Sequence, residues 1–142
     1  MEANTPRGHL VFTCGESLYA LPADKSAEVV SLVALTRVPG APAHLLGVFA
    51  HRGEVVPVVD LAVLTGGKAE KSYRRAVLMR VPRGVLAFTA SKVAGVSQVA
   101  GDERALGLEG VQAHLKGPTR THAGDAAIIE PEGLFDFLSG GK

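Results

Sequence analysis

An internal echo, recurring at about half the chain's length, constrains this sequence more than any other feature. Tyr19-Ala20-Leu21-Pro22-Ala23-Asp24-Lys25 and Leu86-Ala87-Phe88-Thr89-Ala90-Ser91-Lys92 carry their apolar positions and a lysine in one register. Leu45-Leu46-Gly47 returns as Leu115-Lys116-Gly117, and Val58-Val59-Asp60 as Ile128-Ile129-Glu130, at one common spacing close to that of the first pair. The Gly53-Glu54 turn returns as Gly124-Asp125. Such a period exceeds a solenoid unit and suits a small five-stranded barrel. In 142 residues it predicts two similar β units. Each alone is too small to bury a sufficient core, so the two should pack across an apolar seam.

The local pattern agrees. Short β-branched or apolar runs begin at His9, Ser17, Glu28, Leu45, Val55, Ala76, Val85, Val96 and Leu115, separated by Gly- and Pro-containing turns. Asp60 is placed to cap a short helix ending near Leu64, and Pro131 to open a last helix ending near Gly140. Residues 1–8 read as a flexible tail. Residues 9–139 read as one domain with a first lobe over about 9–66 and a second over about 73–139. The polar stretch from Gly67 to Ser72 reads as the linker between them, and Gly101 to Gly110 as a loop.

Chemistry is sparse. The charge balance of 15 Lys and Arg against 14 Asp and Glu offers no field for a polyanion. Alternating Arg74, Arg75, Arg80 and Arg83 read as a solvated face, with only Tyr73 available for stacking, so nucleic-acid binding is a remote alternative. Gly15-Glu16-Ser17 is half of a hydrolase elbow and sits in a predicted hairpin, which argues against a nucleophilic Ser17. The single cysteine, Cys14, reads as core filler. The five histidines are scattered without ligand spacing, so no metal site and no cofactor are expected. No apolar run is long enough to span a bilayer and no signal core opens the chain. A cytoplasmic, non-catalytic recognition domain is the expectation.

The stretch from Pro39 to Leu61 is the most specific. Pro39-Gly40-Ala41-Pro42 leads to Leu46-Gly47-Val48; Arg52-Gly53 follows, then Val55-Val56-Pro57-Val58-Val59-Asp60-Leu61. With Leu10-Val11-Phe12, Tyr19-Ala20-Leu21-Pro22 and Lys25-x-x-Glu28-Val29, this resembles the CheW family of chemotaxis coupling proteins over residues 9 to about 138. The resemblance implies an all-β fold of two five-stranded SH3-like β-barrel lobes around a shared apolar core, with a few short helices. It implies an adaptor without catalysis that couples the cytoplasmic tip of a chemoreceptor to the regulatory domain of a CheA-type histidine kinase. It also implies a stand-alone domain with no direct membrane insertion.

By the same resemblance, receptor-binding positions fall on Arg52, Gly47, Leu46, Val48, Val77 and Ala87, and kinase-binding positions on Glu28 and Val29, on a surface apart from Arg52. Asp60 keeps a structural role. The chain departs from the family pattern at Ala50, where Asn is usual, with His51 between it and Arg52, and at Ser26 and Ser91. These departures keep open a divergent protein that binds one of the two partners, in a pilus or gliding pathway.

Overall fold

The computed structural model describes residues 7–25, 27–32, 34–68, 74–100 and 104–140. Ten strands and two short helices follow one another in it. The first half holds β1 (Arg7–Cys14), β2 (Ser17–Pro22), β3 (Glu28–Ser31), β4 (Leu45–His51), β5 (Glu54–Val59) and α1 (Leu61–Leu64). The second holds β6 (Arg75–Val81), β7 (Gly84–Ala90), β8 (Lys92–Val99), β9 (Leu115–Thr121), β10 (Gly124–Ile129) and α2 (Pro131–Leu138). Two short pieces of 3-10 helix, Ala23–Lys25 and Gly110–His114, have no signal in the sequence pattern.

The strands form two five-stranded sheets, ordered β8-β1-β2-β10-β9 and β3-β6-β7-β5-β4. Moving five strands along the chain converts one order into the other, so the sequence repeat is a repeat of topology. The sheets are nevertheless not the two halves of the sequence. The β1–β2 hairpin joins strands of the second half, with β2 parallel to β10. The β6–β7 hairpin joins strands of the first half, with β7 parallel to β5. This corrects the expectation of contiguous lobes over 9–66 and 73–139: each half lends its leading hairpin to the other. A sequence repeat is blind to such an exchange, because equivalent hairpins present the same edges. Arg7 and Gly8 also belong to β1 rather than to a tail. The rest of that tail, the linker residues 69–73, loop residues 101–103 and Ser26 lie outside the described residues.

Alternation along the strands builds three apolar clusters. Leu10 and Phe12 of β1, Val77 and Met79 of β6, and Leu86 and Phe88 of β7 face the seam between the sheets. The intervening Val11 faces the interior of the first sheet with Ala20 and Val99. Ala76, Leu78 and Ala87 face the interior of the second with Val56 and Val58. Strands buried on both faces need unbroken apolar runs, which is why β1, β6 and β7 read as such. Phe12 and Phe88 stack across the seam with ring centroids 6.2 Å apart, and Leu134 of α2 seals the same cluster.

Asp60 caps α1 as expected, its carboxylate accepting from the backbone N–H of Ala62 at 2.9 Å and of Val63 at 3.3 Å. Pro131 opens α2. The β9–β10 turn falls at His122 and Ala123, with Gly124 already in β10, slightly earlier than the Gly124-Asp125 pair suggests.

Candidate partner-binding surface

The β4–β5 hairpin carries most of the predicted site. Its two turn residues, Arg52 and Gly53, have φ of 51° and 83°. Positive φ at both central positions is the geometry that matches strand twist in a two-residue hairpin. Gly53 adopts it freely. Arg52 is the one described non-glycine residue that does so, and it projects with a side chain 74% exposed.

Arg52 is not solitary. Its Nη2 lies 3.1 Å from Glu28 Oε2, on the edge strand β3 at the other side of the same sheet. His51 Nε2 is 3.6 Å from the same oxygen. Beside them, Arg80 of β6 donates to both oxygens of Glu54, at 3.1 and 2.6 Å. That hydrogen-bonded pairing holds the Glu54 carboxyl below the usual carboxylate range and the Arg80 guanidinium above its own. The predicted kinase position Glu28 and the predicted receptor position Arg52 therefore meet in one ion pair, which corrects their assignment to separate surfaces. Val29 points to the opposite face of β3 from Glu28 and is a partly exposed apolar residue.

The remaining predicted residues divide by burial. Val77 and Ala87 are fully enclosed, in the seam and in the interior of the second sheet respectively, so neither offers a contact surface. Their unbroken apolar runs mark core, and sequence cannot separate a core strand from a groove-lining one. Gly47 is also buried. A Cβ there would sit 2.6 Å from the Thr36 carbonyl oxygen. The glycine lets β4 exchange two backbone hydrogen bonds of 2.9 Å with Thr36 through its neighbour Val48, and these tie the segment that follows β3 to the edge strand β4. Leu46 lines a hollow under the loop at 37–43. Val48 is half-buried and stands opposite Pro57.

Two features escape a reading of the sequence. Val55, beside the turn, is 69% exposed; its outward-facing place opposite Ala50 of the edge strand β4 depends on the strand pairing. Further along β5 an apolar cleft of about 290 Å³ opens between Pro57, Val59, Leu86 and the α2 residues Phe135 and Leu138, with His44 at its wall. Arg83 of the β6–β7 turn donates to Asp136 of α2, 2.5 Å away, on the exposed side of the helix.

Elsewhere the polar groups serve the fold. Cys14 is buried, with its thiol 3.5 Å from Asp60 and Thr89. Burial pushes the thiol's pKa up, which disfavours the reactive thiolate. No group of three or more His, Cys, Asp or Glu placed to hold a metal exists among the described residues. Among them too, no helix is long and apolar enough to cross a membrane.

The CheW-like domain profile matches residues 8–138. The chain belongs to the CheW-like family. It is 43% identical over 63 residues to the chemotaxis protein CheW of Helicobacter pylori, covering 44% of this chain and 38% of that protein. It is 33% identical over 96 residues to Protein FrzA of Myxococcus xanthus, covering 67% of this chain and 56% of that one. The matches thus span less than two thirds of these relatives' length. The crystal structure of the scaffolding protein TtCheW from Thermoanaerobacter tengcongensis superposes with a TM-score of 0.71 and 25% identity, over 87% of this chain and 88% of that one. Its likeness carries both five-stranded sheets, so the all-β, two-lobed architecture holds, with the hairpin exchange described above.

Proposed function

We propose that this protein is a non-catalytic cytoplasmic adaptor that couples a chemoreceptor to a CheA-type histidine kinase. Family membership over residues 8–138 supports the class of function. The observation that carries the site is Arg52, held outward at φ 51° on a two-residue turn with the exposed Val55 beside it. A partner meeting this edge finds a cation for an acidic side chain and an apolar strand face leading to the cleft at Pro57 and Phe135. A helical receptor tip with apolar and acidic residues has that character. Leu46 and Val48 border this edge, and Gly47 shapes it from beneath. Glu28 and Val29 on β3 are the proposed kinase contacts.

The test is a titration of the full chain against a receptor cytoplasmic fragment and, separately, against the kinase regulatory domain. Binding to both supports coupling, and binding to neither overturns it. The departures from the family pattern at Ala50, Ser26 and Ser91 favour carrying a second reading, an adaptor of a chemotaxis-like pathway such as pilus or gliding motility. Under that reading the chain binds the partners encoded beside it and ignores flagellar ones.

A further inference from the structure

His51 directly precedes Arg52, and the two side chains share one carboxylate oxygen. His51 Nε2 lies 3.6 Å and Arg52 Nη2 3.1 Å from Glu28 Oε2. Nε2 is shielded from solvent and makes no hydrogen bond, while Phe49 flanks the ring with centroids 6.1 Å apart. The charged groups that face this position are Glu28 of β3, Arg52 of the turn, Glu54 of β5 and Arg80 of β6. Glu54 is already taken by both nitrogens of Arg80. Whichever ring nitrogen takes the proton, the imidazolium's Nε2–H has Glu28 as its acceptor. Two cations on one oxygen repel each other, and each holds it less well than alone. The imidazole is the shorter, more enclosed of the two. Arg52 is the exposed one on a long stem, so it is the one to leave.

We propose that His51 is a proton-controlled competitor of Arg52 for Glu28. The neutral imidazole leaves Arg52 paired. The imidazolium takes the carboxylate and releases Arg52 to an acidic group of the partner. Histidine is the side chain suited to such a change between roughly pH 5 and 8. The inference rests on the reading of Arg52 as a partner contact. An exposed ion pair is weak, so its release sharpens binding modestly, by about two- to fivefold.

The experiment has two arms on the full chain. In the first, NMR follows the His51 ring protons and the Arg52 side-chain Nε–H from about pH 8 to about pH 5.5. The expected result is that Arg52 changes with the midpoint of His51, and that His51→Gln leaves Arg52 flat. An Arg52 signal that ignores the His51 titration, or that still moves in His51→Gln, overturns the proposal. In the second arm a receptor cytoplasmic fragment is titrated at both pH values. The wild type should gain about two- to fivefold on acidification relative to His51→Gln. Coupled NMR titrations without that relative gain uphold the proton switch and remove Arg52 from the partner site.

Discussion

At position 52 a long side chain holds a backbone conformation that glycine reaches without steric cost. Alanine there keeps the strain and loses only an exposed ion pair, so Arg52→Ala should melt within about ±0.5 kcal/mol of wild type. Arg52→Gly removes the strain as well and should be more stable than Arg52→Ala by about 1 kcal/mol. Both should lose receptor binding, by about thirtyfold if Arg52 is a hot spot of about 2 kcal/mol. Thermal melting beside fragment titration reads both quantities. Equal melting of the Ala and Gly variants would contradict the strain; normal receptor binding by both would contradict the contact. Since Glu28 touches Arg52, either variant also frees Glu28, and kinase binding should shift by no more than the fewfold effect of an exposed pair.

Between elements, the decisive contact is a close approach. Gly47 lets β4 meet the Thr36 carbonyl, and the bonds made there fasten the edge of the second sheet. Gly47→Ala forces backbone against backbone and should destabilise by about 1–3 kcal/mol. Denaturant unfolding gives that number, and amide exchange of Val48 should report the opened edge first. Full protection at Val48 in the variant would count against this role. At the opposite end of the chain, α2 is held by Leu134, which is fully buried in the seam. Leu134→Ala should cost about 2–5 kcal/mol and, by loosening Phe135 and Leu138, disturb the cleft they line. A loss below about 1 kcal/mol, close to that of a surface change, would mean that the helix packs less firmly than its burial indicates.

On the scale of the molecule, the hairpin exchange makes the two halves interdependent. Residues 1–66 lack three strands of the first sheet and two of the second. Neither that piece nor residues 73–142 should fold alone, and circular dichroism of each should show little sheet. Mixed together they should regain the native spectrum, because every missing strand is then supplied. Independent folding of either piece would refute the interdependence. The repeat taken alone places that dependence only at the seam between two contiguous lobes; the exchange carries it into the sheets themselves.

The elements and the family are legible in one dimension. Alternation, turn glycines, the Asp60 cap and Pro131 are local signals, and a local signal needs no knowledge of the rest of the chain. The ordered run from Pro39 to Leu61 carries the family because its spacing reflects one hairpin and its approach. Strand pairing, and with it the choice of which apolar residues stay at the surface, emerges only once the chain has folded. Val55 and Val77 are the same residue type in similar strands, yet one is 69% exposed and the other fully buried. The difference lies in what the other sheet covers. Likewise Glu28 and Arg52 are distant in the chain, with the whole of β4 and the crossing before it between them. They meet because β3 and β4 are the two edges of one sheet whose hairpin turn reaches back to β3, and that placement is a long-range fact that no short stretch of sequence encodes.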